Sequence, residues 1–308
     1  MRASLSEIDY AHFLSVRQLA IFRFCGVTDK RREGLRGLTG RHLAGDRFRA
    51  VLCSLKEAGT ALSLDDYLAI GRAGRGLPEH AFAVTFDIGY KTAATVAAPI
   101  LEELRIPATF YLTTALAGTS QAPWIDEVEY AFERAEEVRL EGMPDPALHA
   151  PCRTFAEKLA LLERIRAIIA HHPAVDPGAF AREVWRQLGV REMEADPGLD
   201  PKLAWAEIRE LARNSLFKVG GHGHTYRALS ALSPGDLDRE VSESVSRLGR
   251  HLGEFPRHYS YPEGTDLGVS PRVIESLRAH GVVCAPTSMP GVNGVGDDPF
   301  RLKRISVT

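Results

Sequence analysis

The sequence predicts an α/β fold, barrel-like or an open parallel sheet, with a helical segment set into it. Three observations carry this. A strand, a helix and a second strand follow one another with short links over residues 81–114. Further strand and helix patterns alternate from residue 217 onward. Between the two series, residues 120–213 show amphipathic helical periodicity. Parallel strands joined by crossover helices account for the first two observations, and the third adds an insertion to that scaffold.

The elements follow in chain order. "DRFRAVLCSLKEAG" and "SLDDYLAIGRAG", within residues 46–73, read as two helices, the second capped by Ser63. Residues 1–80 are therefore expected to be an N-terminal helical lead-in of one domain spanning 1–308. Residues 81–87 form an apolar strand ending in Asp87. A helix is expected from about Lys91 to Leu104, with a kink at Pro99. "PATFYLTT", 107–114, is β-branched and aromatic and reads as the next strand. The insertion holds three helices: "TFAEKLALLERIRAIIAHH", "DPGAFAREVWRQLG" and "LAWAEIRELARN". "FKVGGHG" is a strand running into a loop. "SPGDLDREVSESVSRLGRHL" is a helix with Ser233 as N-cap, Pro234 in its first turn and Asp236 completing a capping-box pattern. "RHYSYP" is a strand, "SPRVIESLRAHG" a helix closed by Gly281, and "VVCAPT" and "RLKRISV" are two more strands.

Composition narrows the class. A hydrophobic fraction of 44%, a charged fraction of 25% and a net charge of -2 describe a soluble globular chain. They argue against general affinity for nucleic acid or anionic membrane. Cys25, Cys53, Cys152 and Cys284 lie far apart with no CxxC pair, as expected of reduced thiols. No run of about twenty apolar residues exists, so no transmembrane segment is expected. "LAIFRFC" is too short and contains Arg23, and the N-terminus carries acids where a signal peptide has an apolar core. The expected location is cytoplasmic.

Chemistry in parallel α/β folds collects at the carboxyl ends of strands. Four such ends carry suitable residues: Asp87 in "TFDIGY", His222 and His224 in "GGHGHTYRAL", Glu263 in "SYPEG", and the loop after "VVCAPT". Two acids and two histidines suit either a metal site or an acid–base site. On an extended segment HxH would place both imidazoles on one side. The plainer readings stand beside these. Asp87 suits a turn or cap, Glu263 a solvated turn, and Tyr226 either donates to a substrate oxygen or packs. Trp124 and Asp126, where the insertion begins, line the cleft or pack.

The order of these segments resembles the polysaccharide deacetylase family, also called the NodB-homology or carbohydrate esterase family 4 fold. Thr85-Phe86-Asp87-Ile88-Gly89 is similar to the family's Thr-Phe-Asp-Asp-Gly. His222-Gly223-His224-Thr225-Tyr226 resembles its His-(Ser/Thr)-x-x-His, and Tyr261-Pro262-Glu263-Gly264 its Tyr-Pro-x-Gly strand end. "DDPFRLKRISV" resembles the closing strand of bacterial surface-polysaccharide members. The likeness covers roughly residues 45–308, the insertion excepted. It implies a distorted (β/α)7 barrel that removes acyl groups from sugars with one divalent metal, commonly zinc. By resemblance Asp87 is the general base, His222 a metal ligand, and Tyr261, Pro262 and Glu263 a substrate wall. Ile88 and Tyr226 occupy the positions of the other two ligands, and the family's Leu-x-His has no match in "RLKRISV". Catalytic zinc takes about three protein ligands, so His222 alone is too few.

Three readings follow. In a rewired metal site, His222, His224 and Glu263 hold the ion. In a sugar- or partner-binding pseudoenzyme, Ile88 and Tyr226 floor a former active site and there is no cofactor. In a metal-free hydrolase, Asp87 is the base, His222 the acid or electrophile and Tyr226 the oxyanion donor. The ligand implied by the resemblance is an N-acylated sugar or glycan precursor of surface-polysaccharide biosynthesis, nucleotide- or lipid-linked.

Overall fold

The computed structural model describes residues 9–308 except 120, 144–145, 173–174 and 266–267. Among the described residues eight parallel-paired strands are formed: β1 (Leu19–Phe24), β2 (Gly26–Thr28), β3 (His42–Ala44), β4 (Thr60–Ala61), β5 (Ala81–Phe86), β6 (Ala108–Leu112), β7 (Phe217–Gly221) and β8 (Ile305–Ser306). The main sheet runs β7-β6-β5-β1-β8, with β4 beside the start of β5, and β2 pairs with β3 apart from it. Single parallel bridges carry the ring onward, Gly221 to Tyr259, His258 to Cys284 and Pro286 to Leu302. The last of these leads back to β8 and β1. The result is a distorted (β/α)7 barrel, closed on one side by short contacts instead of full ladders. The expected strands "RHYSYP" and "VVCAPT" are present only as these bridges.

The lead-in differs from expectation. Two helices form, α2 (Gly45–Ala58) and α3 (Leu64–Arg72), after a one-turn α1 (Leu35–Leu38). Yet β1 also lies in this segment and pairs with β5 over six residues. "LAIFRF" is too short for a membrane span, and a parallel strand buried on both faces reads as the same continuous apolar run. Residues 1–8 of the lead-in lie outside the described residues.

Strand period 2 sorts the two faces of the barrel wall. Ala20, Phe22, Phe24, Phe82, Val84, Phe86 and Phe110 face outward and join α2 and the helix before β6 in one core. Leu19, Ile21, Ala81, Ala83, Tyr111, Cys284 and Leu302 face inward, where α3 seals the lower end. The same inward parity continues to Arg23, Thr85 and Asp87. The interior therefore passes from apolar at the strand starts to charged at the strand ends.

The crossover after β5 is not one regular helix. Ala93–Ala97 forms a π turn before α4 (Ala98–Leu104). Pro99 has no N–H and its ring crowds the carbonyl four residues back, so the helix widens there. Between β6 and β7 come α5 (Trp124–Arg134), α6 (Phe155–His171), α7 (Pro177–Leu188) and α8 (Trp205–Arg213). Thr154 and Glu157 form a capping box at α6, and Asp176 caps α7. The apolar faces of α5, α6 and α7 make a separate core, while Ile208 and Leu211 of α8 join the main one. Two more helices, α9 (Pro234–Leu252) and α10 (Pro271–Ala279), start at Ser233 and Ser270, which cap them as the sequence indicates.

His42 on β3 is buried, and among the described residues neither ring nitrogen has a hydrogen-bond partner. Its ring lies 4.7 Å from that of Tyr90 and fills the space where a side chain on Gly26 would be. Burial, aided by neighbouring Arg41, lowers its pKa to about 3 from 6.5. The unfolded chain therefore takes up a proton between those values while the folded chain does not, and stability falls as pH drops through that window. His42→Phe is expected to change stability by less than about 1.5 kcal/mol at pH 7.5 and to reduce the loss seen at pH 4.5, both read by urea unfolding.

Candidate functional site

A cavity of about 210 Å³ opens at the carboxyl ends of the strands. Its walls include Arg23, Arg41, Asp87, Ile88, Arg166, His222, Tyr226 and Glu263. Four sequence-predicted residues are thus brought together: Asp87, His222, Tyr226 and Glu263. Ile88 joins them.

Asp87 follows β5, its N–H donating to Phe24 O at 3.0 Å. Arg304 donates to both carboxylate oxygens at 2.8 Å, and Ser260 Oγ donates to Oδ1 at 3.1 Å. Arg23 Nη1 stands 3.8 Å from Oδ2. Arg304 is itself fixed by donating through Nε to Thr287 O at 2.5 Å. Burial pushes the Asp87 carboxyl up, but the Arg304 guanidinium and the other positive neighbours outweigh it and hold the group well below the usual carboxylate range. A carboxylate so engaged is a poor proton acceptor. In this arrangement Asp87 is an anchored anion.

His222 is placed by two strands. Its N–H donates to Leu112 O at 2.8 Å, and Thr113 Oγ1 donates to its carbonyl at 2.9 Å. Gly221 must be glycine, because a Cβ there would lie 2.4 Å from the Tyr259 ring. Nδ1 of His222 lies 2.6 Å from Ser260 Oγ and 3.1 Å from Ser260 O. The carbonyl only accepts, and Ser260 Oγ spends its proton on Asp87, so Nδ1 carries the hydrogen. Nε2 then has the lone pair. Burial lowers the pKa of the imidazole and favours this neutral form.

His224 diverges from His222. Gly223 between them has φ +75°, so the segment is not extended and the two rings do not share a side. Glu240 on α9 accepts from the His224 and Thr225 amides at 2.7 and 2.6 Å and turns the loop away. His224 Nδ1 lies 3.0 Å from Thr114 Oγ1, outside the cavity lining. The rewired set His222, His224 and Glu263 is therefore not assembled.

Ile88 and Tyr226 are both buried, and both belong to the insertion core with Leu35, Trp124 and Val128. Both also have left-handed backbones, φ 77° and 60°, as does Glu263 at 58°. For a β-branched residue this is an outlier. Its strain, about 1–3 kcal/mol, is of the size that burying an isoleucine returns, about 1.5–3 kcal/mol. Burial also raises the Tyr226 hydroxyl well above its ordinary pKa, so it remains a donor.

The other expected wall residues lie elsewhere. Tyr261 is fully buried and donates to Phe300 O at 2.8 Å. Pro262 packs by Gly223. Asp126 has no exposed surface; it pairs with Arg41 and with Lys202 at 3.3 Å, and accepts from Tyr90 OH at 2.7 Å. It fixes Arg41, which does reach the cavity. Trp124 lines a separate hollow with Leu116 and Arg227. Sequence reasoning missed Arg23, Arg41, Arg166, Ser260 and Arg304. Only Arg23 carried a signal, a charge in the otherwise apolar run of β1.

A family model described as polysaccharide deacetylase matches residues 74–285. The chain belongs to the polysaccharide deacetylase family. Solved structures agree on the fold. IcaB from Ammonifex degensii is 20% identical, with 96% of this chain and 94% of that one covered and a TM-score of 0.59. A de-N-acetylase from Aggregatibacter actinomycetemcomitans is 15% identical, with 94% of each chain covered and a TM-score of 0.59. The Streptococcus pyogenes deacetylase PplD, solved in complex with acetate, is 13% identical, covering 95% and 93%, with a TM-score of 0.58. No curated protein matches.

The divalent metal of polysaccharide deacetylases does not fit the residues present. Among the described residues no three His, Cys, Asp or Glu side chains are grouped to hold one. His222 offers one nitrogen, Ile88 offers no donor, both Asp87 oxygens are engaged by Arg304, and three arginines line the same space. Restoring the family donors is a direct test. Asp and His tolerate left-handed backbones better than isoleucine and tyrosine do. Ile88→Asp with Tyr226→His is expected to bind zinc at about one ion per chain by calorimetry, where the parent shows none. Separately, Arg304→Met is expected to cost about 3–5 kcal/mol in urea unfolding by leaving Asp87 charged and buried, with much of the loss recovered when Asp87→Asn is added.

Proposed function

We propose that the chain recognises an N-acylated sugar or glycan precursor in the strand-end cavity, without zinc-centred deacylation. The observation that carries this is the state of the cavity's polar groups. The Glu263 side chain is 8% exposed, and its Oε1 is buried with no partner among the described residues. A ligand N–H or O–H satisfies that oxygen. Tyr226 supplies a hydroxyl donor for an acyl oxygen, and neutral His222 supplies an acceptor for a sugar hydroxyl. An N-acylated sugar has all three complements. At about 210 Å³ the cavity is smaller than the roughly 300–1,000 Å³ of drug-sized pockets, which suits one sugar-sized group and not a polymer strand. Family membership and the likeness to named deacetylases support a carbohydrate ligand. On this reading the ligand belongs to surface-polysaccharide biosynthesis in the cytoplasm.

The test is calorimetric titration with N-acetylglucosamine and its short oligomers, with and without EDTA. Binding is expected to be indifferent to EDTA and to weaken roughly tenfold in Glu263→Gln, which removes a hydrogen bond to a charged group. No binding of any acylated sugar overturns the proposal.

The Asp87–Ser260–His222 chain favours a second reading, deacylation without metal. His222 Nε2 takes a proton from water as the water attacks the acyl carbon, Tyr226 donates to the oxyanion, and as the intermediate collapses the C–N bond breaks and the imidazolium returns its proton to the departing amine. Acyl release that survives EDTA and is lost in His222→Gln supports this reading; no release leaves recognition alone.

A further inference from the structure

The cavity holds more cationic groups than its partners use. Asp87 is matched by Arg304, which stands behind it and does not line the cavity. Arg23, 19% exposed on its side chain, stands 3.8 Å from Asp87 Oδ2, an ion pair without a hydrogen bond to a carboxylate that Arg304 already engages. Its Nη1 donates to Ser288 Oγ at 3.2 Å, and among the described residues Nε and Nη2 have no partner. Arg166 enters from α6, its Nη2 at 3.6 Å from Glu263 Oε2, beyond hydrogen-bond distance. Glu163, the third carboxylate of the lining, is 74% exposed and screened by water. Arg41 is held from behind by Asp126 and Glu129 on α5. These three guanidinium groups come from three separate parts of the chain, yet they wall one small space.

Resting on the sugar reading above, we infer that the ligand carries an anionic group, a carboxylate or a phosphate, which Arg23 and Arg166 hold at the cavity mouth. Guanidinium groups match both oxyanions in a planar, two-pronged geometry. The Glu263 Oε1 without a partner, on the same wall, faces a donor on the same ligand. An acylated sugar bearing one acid supplies both. A purely neutral sugar leaves Arg23 unused, and a bare anion leaves Glu263 unused.

The full chain is titrated with N-acetylglucosamine, N-acetylglucosamine 1-phosphate, N-acetylmuramic acid and inorganic phosphate. At least one acidic sugar is expected to bind roughly ten- to a hundredfold more tightly than the neutral parent and than inorganic phosphate. Which one does so tells phosphate from carboxylate. The advantage is expected to shrink with added salt and to be lost in Arg23→Gln, with Arg166→Gln as a second variant that removes the other prong. Thermal unfolding of both variants is compared with the parent, and the one that retains its midpoint is scored. Equal affinity for neutral and acidic sugars overturns the inference and leaves the sugar reading standing. An acidic advantage that survives in a folded variant also overturns it. If no acylated sugar binds, both fall together.

Discussion

A buried carboxylate has to be answered by a buried cation, and in this barrel the requirement organises the strand ends. Asp87 would cost several kcal/mol if left alone in the interior. Arg304 meets it with two parallel hydrogen bonds and is itself tied to Thr287. Ser260 then bonds to Asp87 and receives His222. One chain of polar contacts therefore crosses from the last strand to β5 and on to the segments around 260 and 222. It spans the part of the ring where backbone pairing is reduced to single bridges. Side chains there hold together what ladders hold elsewhere.

The second organising fact is that the insertion core reaches the cavity wall. Ile88 and Tyr226 stand in the ligand positions of the family pattern and also lie in the core shared with α5, α6 and α7. The backbone at both keeps a left-handed turn that would suit the family's acid and imidazole. Hydrophobic burial offsets the strain of that turn.

Much of the fold was legible because its signals are local. Ser63, Ser233 and Ser270 cap the helices whose starts they mark, and the β5–helix–β6 unit follows from pattern and short links. The central strand β1 was not legible as such, since a doubly buried strand and a short apolar run look alike. In the site, Asp87, His222, Tyr226 and Glu263 could be placed together because each ends a strand or follows one. The divergence of His224 turned on the dihedral angle of Gly223, which no spacing rule encodes. The arginines were hidden because their meeting depends on tertiary packing: Arg41 precedes β3, Arg166 sits on an inserted helix and Arg304 lies near the far end of the chain.

The cavity has one wall from the barrel and one from α6. A molecule filling it touches both, and its binding energy then adds to the adhesion between them. Stability of the inserted helices is in this way linked to ligand concentration, rising as RT ln(1 + [L]/Kd) wherever docked helices are needed to bind. Because α6 can change without disturbing the strands, drift in that one helix can retune what the barrel mouth admits while the barrel beneath it stays the same.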